Sequence, residues 1–527
     1  MTLADSIQWK AVACALGFAA ALVGHWLESR GSRRPARALY SGAALLGLLV
    51  FFNFGAVRHA HDITYVNQYE QFHYQLGAKY FPELGYDGLY LASVAAERQT
   101  LPGSPKPVWI RDLASNRLMA LQRDFPVLRK VRERFTPERW AAFRADHAHY
   151  LRALSPQLVA RARRDHGFNP TPAWAFVARL FAAPLSATPL QLGVLASLDL
   201  ALMALAFAVV FRSFGTRAVL LCVALFGLCF GPRYMLQGAF LRLDWLAAVL
   251  LGVCALRHGR PASAGAALGY AAAVRVFPVV FFAGTVCVGA AQWLRGERPR
   301  WPARLVAGFS AALLVAFVGG ASAGRGVAAW SEFAKNIELH RTSWAPSRIG
   351  LDMLVVHGPE ALASAVERRG FPRPAKPARE TAEALQRQRR WIGLPFKLVF
   401  LGLLAAALWR ASPWEGAVLG VVALFSLTSA GAHYWILLCV APLGRAPPAV
   451  LATLAISAPL YALERWEYWG SSLLHMRFVW ASFAVALVLL VWLLPDVWKG
   501  WREHKRSKRT ASAARASMAG LVLRSTP

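Results

Sequence analysis

The chain has 527 residues, 56% of them hydrophobic, with a mean hydropathy of +0.37. Apolar runs of bilayer length with no polar stripe at helical spacing, such as FVWASFAVALVLLVWLL, exclude a soluble multidomain protein, and the lack of period-two alternation excludes a β-barrel. The formal charge of +31, from 59 Lys plus Arg against 28 Asp plus Glu, lies mostly between the apolar runs, which assigns it to lipid headgroups and topology and leaves no nucleic-acid partner.

The fold class expected is therefore an all-α polytopic membrane protein. In chain order, residues 1–57 hold two spans, near 11–27 and 39–57, the first read as a retained helix because it lacks a basic leader and a small-residue cleavage site. Residues 58–186 form a long outward loop. Within it Thr136, Pro137 and Glu138 have the chemistry of a helix start, so the loop is expected to carry a small folded cap. Residues 187–322 form a central bundle with spans near 187–210, 218–232, 240–256 and 305–322. Residues 323–390 form a second outward loop that ends in a Pro-rich, charged stretch, 391–495 hold spans near 391–409, 416–431, 434–444, 447–463 and 476–495, and 496–527 are a basic tail. That makes about eleven full spans. Short basic loops fix the alternation, with the C-terminus cytoplasmic: ESRGSRRPAR, FRSFGTR, RHGRP, RGERPRWPAR and GRAPP. The six cysteines all fall in apolar segments with no CxxC spacing and read as core residues. No internal repeat is visible.

One segment cannot be a single span. Residues 262–294 lie between two cytoplasmic basic clusters and are too long for one crossing, so they must enter and return. Pro278 lacks an N–H and disfavours helical geometry at Phe277, which places the turn there and puts Arg275 at the apex of a two-half-helix hairpin. An intramembrane Arg at a helix break marks a cavity.

Three further polar groups converge on the outer face. YEQFHYQLGAKYFPELGYDGLY (69–90) follows the second span, NIELHRTSWAPSRIG (336–350) opens the second large loop, and SAGAHYW (429–435) sits at an outer turn. Carboxylates, cations and rings in one outward pocket suit a sugar joined to a lipid phosphate: rings bind the apolar faces of sugars, Arg forks onto phosphate, and a carboxylate accepts a hydroxyl proton. Glu70 is the expected general base, with Asp62, nearer the span end, as the fallback, and ordinary solvated loop acids are the alternative reading of both. Arg275, His340, Arg341 and Arg348 are candidates for the donor phosphate, with surface charge the alternative for the last three. Gln237 joins His73, Tyr74, Lys79, Tyr80, His433 and Tyr434 as a candidate for sugar or acceptor contact. An interfacial aromatic belt accounts equally for His73, Tyr74 and Tyr80. Glu83 and Asp87 read as surface acids, and Arg242 and Asp244 as a pair near an interface. No cofactor-binding loop and no metal-ligand spacing is present, so neither cofactor nor metal is expected.

Pro232 to Phe281, PRYMLQGAFLRLDWLAAVLLGVCALRHGRPASAGAALGYAAAVRVFPVVF, resembles the central pattern of glycosyltransferase family 87, polyprenyl-phosphate-mannose-dependent mannosyltransferases of the GT-C class. The matching features are Gln237, the RHGRP turn, Ala264, Gly265, Gly269, and a cation followed by Phe277 and Pro278. Glu70 stands where the family has Asp, four residues before Tyr74, and Arg275 where it usually has Lys. The stretch 91–186 is longer than the family's. The resemblance implies a GT-C-like bundle in a bacterial inner membrane, with an outward active site and usually inverting transfer. The partners it implies are a polyprenyl-phosphate sugar (mannose or another hexose or pentose), a glycolipid or glycan acceptor and membrane lipids. A transporter or lipid flippase is the competing class, but it predicts paired inverted halves, which the sequence does not show.

Overall fold

Glycine, proline and basic turns cut the chain into helices whose lengths follow the apolar runs. The computed structural model describes residues 3–55, 65–100, 108–121, 126–231, 236–342, 347–366, 384–385, 387–389, 391–444, 447–470, 477–495, 497–498 and 502. In order these give α1 (Leu3–Ser29), α2 (Arg33–Phe51), α3 (Gln68–Lys79), α4 (Phe81–Leu84), α5 (Leu89–Thr100), β1 (Val108–Asp112), β2 (Arg117–Leu121), α6 (Pro126–Arg132), α7 (Pro137–Ala153), α8 (Pro156–Ala162) and α9 (Pro172–Ala182). Next come α10 (Pro189–Leu228), α11 (Asp244–Arg257), α12 (Pro261–Arg275), α13 (Val279–Leu294), α14 (Trp301–Ser322), α15 (Ala328–Thr342), β3 (Arg348–Ile349) and α16 (Leu351–Val366). Helices Gly393–Leu408 and Pro413–Leu427, strand β4 (Ala430–Gly431), a 3₁₀ segment (Ala432–Leu443) and helices Pro447–Gly470 and Arg477–Pro495 complete the described chain.

Among the described residues, five helices are long and apolar enough to cross a membrane: Asp5–Ser29, Pro189–Leu228, Trp301–Ser322, Pro447–Glu464 and Arg477–Pro495. Among the described residues the architecture is all-helical, as expected, apart from two short antiparallel ladders. β1 pairs antiparallel with β2 in the cap, and Arg348–Ile349 pairs with Ala430–Gly431. The β1–β2 turn closes on Asp112, whose side chain accepts from the backbone N–H of Ala114 at 3.2 Å, while Asn116 takes φ 57°.

Two features reconcile helix lengths with the sequence. Helix α10 contains a reversal at Gly215 (φ 83°, ψ 179°), inside the basic turn FRSFGTR. Phe207 and Phe226 on either side of it meet at 5.6 Å, whereas an unbroken helix would separate them by about 28 Å. Its two limbs therefore run antiparallel, over the stretches read from the sequence as spans near 187–210 and 218–232. The short span near 434–444 is a 3₁₀ segment of 12 residues. At about 2.0 Å per residue it reaches ~24 Å, against ~18 Å for an α-helix of equal length.

The segment 262–294 folds as two helices that meet at Val276 to Pro278. Val276 adopts φ 58°, ψ −60°, and the Phe277 N–H donates to the Arg275 carbonyl at 2.7 Å. Helix α12 lies against α14 at very close range: a Cβ on Gly265 would come within 2.0 Å of the Leu305 carbonyl oxygen, and one on Gly308 within 2.0 Å of that of Ala262. Small residues let backbones approach where hydrophobic force between helices is absent.

The loops sort to two ends. At one end Arg217 pairs with Glu28 at 3.1 Å, His258 meets Ser213 at 3.0 Å, Arg257 lies over Trp414 at 4.4 Å and Arg295 over Trp409 at 5.9 Å. These are the basic loops that the sequence places together. At the other end sits the cap. Thr136 caps α7 by accepting from the Arg139 N–H at 3.3 Å, Lys79 is ion-paired to Asp146 at 2.8 Å, and Glu83 binds Arg139 at 2.6 Å. Glu83 is thus a buried brace between α4 and α7, not the surface acid expected. Asp87, on Arg134 at 2.9 Å, is half-buried at the cap surface. Five of the six cysteines are buried, and Cys287 on α13 is exposed.

Candidate functional site

Helix α3 is docked onto the bundle by its first turn. The Asn67 N–H donates to the Gly238 carbonyl at 2.8 Å, the Asn67 side chain accepts from the Glu70 N–H at 3.0 Å, and Gln71 Nε2 donates to the Leu192 carbonyl at 3.1 Å. Gly238 permits this approach, because a Cβ there would stand 1.6 Å from the Tyr65 carbonyl oxygen and its φ is 62°. The cap's first helix is thereby fixed over the segment 236–243.

That segment delivers Arg242. Its N–H and that of Leu243 donate to the two carboxylate oxygens of Asp199 at 2.8 and 3.0 Å, and its carbonyl accepts from Trp245 Nε1 at 2.9 Å. The guanidinium, 7% exposed, faces the Glu70 carboxylate at 3.7 Å and lies 4.3 Å over the Tyr74 ring. Glu70 and Tyr74 share a face of α3, as their spacing requires. The expected Arg242–Asp244 pair is not the arrangement found. Asp244 accepts from the Tyr270 hydroxyl at 2.9 Å, and the guanidinium of Arg242 turns to the cap because its backbone is already held by Asp199.

Arg275 ends α12 at the hairpin apex. It acts electrostatically on Glu70, Tyr74, Asp244 and His433, and its buried Nε has no hydrogen-bond partner among the described residues. Beside it stands an aromatic wall, in which Phe277 meets Tyr434 at 4.4 Å, Trp245 meets Phe277 at 5.1 Å and His433 lies 4.1 Å from Tyr434. Pairing of Arg348 with Gly431 brings the chain between α15 and α16 to the same turn. Gln237 is buried with its Nε2 unpartnered among the described residues.

Two carboxyls in the cap are driven apart. Burial raises the Glu70 carboxyl above the usual carboxylate range, and the pull of Arg242 opposes this without cancelling it. Asp165 is also buried, yet it is held below its usual range by His73, the His166 N–H and the Tyr69 hydroxyl, the last donating at 2.8 Å. Opposite displacements in one site separate a proton acceptor from a fixed charge.

Other sequence candidates stand elsewhere. The ring nitrogens of His73 meet the Tyr69 carbonyl at 2.9 Å and the Tyr90 hydroxyl at 3.0 Å, so this side chain braces the cap. Lys79 is consumed by Asp146 and the Leu185 carbonyl, and Tyr80 donates to Asp146 at 2.8 Å; both are buried and absent from the cluster. His340 packs on His166 at 5.3 Å, and burial first, then His166 and Arg348, push it down to about 4, so at neutral pH it carries no charge for a phosphate. Arg348 donates to the His340 carbonyl at 2.9 Å. Asp62 and the side chain of Arg341 lie outside the described residues.

Sequence reasoning missed Arg242, Asp199 and Asp165 as members of this neighbourhood. The available signal was an Asp inside an apolar run for Asp199, and an acid in the basic turn RRDHG for Asp165. Comparison with family models, with curated proteins and with solved structures finds no match.

Proposed function

We propose that this chain is an integral membrane glycosyltransferase that moves a sugar from a polyprenyl-phosphate donor to a lipid or glycan acceptor on the extracytoplasmic face of a bacterial inner membrane. The observation that carries the reading is the largely buried Glu70 carboxylate set 3.7 Å from Arg242, with Arg275 nearby, at the cap end of a multi-span bundle. The GT-C-like architecture with about eleven spans belongs to the same proposal, as do the polyprenyl donor and inverting stereochemistry, which rest on the quoted motif resemblance.

In this scheme Glu70 takes the proton of an acceptor hydroxyl as its oxygen attacks the anomeric carbon. The bond from that carbon to the phosphate oxygen breaks, and the electron pair leaves on the lipid phosphate. Arg275 and Arg242 meet the developing charge. Tyr74, His433, Tyr434 and Phe277 offer ring faces to the sugar, and the Gln237 Nε2, unpartnered among the described residues, suits a sugar hydroxyl. Catalysis here asks only for positioning, one base and a phosphate clamp.

Purified protein incubated with radiolabelled polyprenyl-phosphate sugars and a membrane lipid extract tests it. Label in a new lipid or glycan product is the expected result. Donor that crosses a vesicle bilayer with its sugar still attached would instead make the chain a flippase.

A further inference from the structure

The end of the bundle away from Glu70 has its own concave site. A cavity of about 390 Å³, within the range of small-ligand pockets, lies between the second limb of α10, helix Pro413–Leu427, the 3₁₀ segment and helix Pro447–Gly470. Arg217, Arg257 and Trp414 line it together with the aliphatic side chains of Leu221, Leu443 and Val450, all three of which are buried.

Arg257 is exposed, stacks 4.4 Å over Trp414 and forms no ion pair among the described residues. Arg217 shares its charge with Glu28 at 3.1 Å. The one acid of the lining, Glu415, caps its own helix, its Oε2 accepting from the Ser412 N–H at 2.9 Å and hydroxyl at 2.6 Å. Cations and an indole thus stand over an aliphatic floor. A small soluble anion makes no use of that floor, and an apolar molecule makes no use of the rim. An amphiphile with a phosphate at one end uses both.

We propose that this cavity seats an anionic glycerophospholipid, its phosphate on Arg257 and Arg217 and the first methylenes of a chain on Leu221, Leu443 and Val450. The site is separate from the Glu70 cluster and does not rest on the transferase reading. It gives the basic loops FRSFGTR and RHGRP a definite ligand beyond a diffuse attraction to headgroups.

Native mass spectrometry of the full chain in detergent, titrated with dioleoyl phosphatidylglycerol or dioleoyl phosphatidylcholine, tests the proposal. We expect one phosphatidylglycerol to be retained about five- to thirtyfold more tightly than phosphatidylcholine, the scale of one or two near-surface cations. Arg257→Gln should abolish that preference and Arg257→Lys keep part of it, while Arg212→Gln, an exposed Arg outside the cavity in the loop that carries Arg217, should keep all of it. Melting midpoints measured in phosphatidylcholine should agree across the set, which separates lost binding from misfolding. Equal retention of the two lipids, or an undiminished preference in a well-folded Arg257→Gln, overturns the site. Complete displacement of the lipid by millimolar inorganic phosphate overturns it too, because the ligand would then be a free anion.

Discussion

Arg242→Gln should move the acidic limb of the pH–rate profile to higher pH. Glu70 must be ionised to accept a proton, burial disfavours that form, and Arg242 is the largest influence that favours it. At 3.7 Å two unit charges attract by about 4 kcal/mol at an effective dielectric near 20 and by about 1 kcal/mol in water. Both side chains are largely buried, at 7% and 13% exposure, but Arg275 remains after the substitution and absorbs part of the loss. Since 1.36 kcal/mol corresponds to about one pH unit, the limb of kcat/KM should rise by about one to three pH units. The sign is fixed: removing a cation raises the carboxyl's pKa, so activity at neutral pH falls more than activity at alkaline pH. The assay is initial-rate transfer of radiolabelled sugar across a pH series, with Arg242→Lys as the control that keeps the charge and the limb. A uniform loss at every pH would refute the reasoning, because Arg242 would then act on the phosphate alone or Glu70 would not be the base.

Three other outcomes follow. Arg275→Lys should retain partial transfer, since charge survives while the fork is lost, and Arg275→Ala should lose it while still inserting; unchanged turnover and donor affinity in the Ala variant would remove Arg275 from the site. Asp146→Asn strands Lys79 in a buried position and should destabilise the cap by about 3–5 kcal/mol, read as a lowered midpoint of thermal inactivation, with an unmoved midpoint showing that the pair is not desolvated. A Cys at position 298 should resist an impermeant thiol reagent in intact cells, because it lies in the basic loop RGERPRWPAR; labelling from outside would invert the topology.

Local chemistry made part of this legible. Pro278 forecast the break that Val276 executes, Thr136 forecast the start of α7, and a four-residue spacing forecast the shared face of Glu70 and Tyr74. Gly265 and Gly269, matched to a motif, prove to be where α12 touches α14, a packing role that spacing alone does not reveal. What stayed hidden depends on long-range docking. Arg242 reaches Glu70 only because Asp199, more than forty residues earlier in the chain, fixes its backbone, and because Gly238 lets α3 settle on the loop. Lys79 looked like a sugar contact beside so many rings, but its partner Asp146 comes from a helix 67 residues on. The 40-residue α10 shows the converse: its helical signal runs on through Gly215, and only the basic turn marks the reversal.

The central claim is that Glu70 is the base of a transfer reaction, and the isosteric Glu70→Gln substitution tests it most directly, with turnover and donor binding measured on the same preparation. The account predicts a loss of about a hundred- to ten-thousand-fold in turnover with donor affinity nearly unchanged, because only basicity is removed. Parental turnover in Glu70→Gln, together with a dead Asp62→Asn, would contradict it and pass the catalytic role to Asp62.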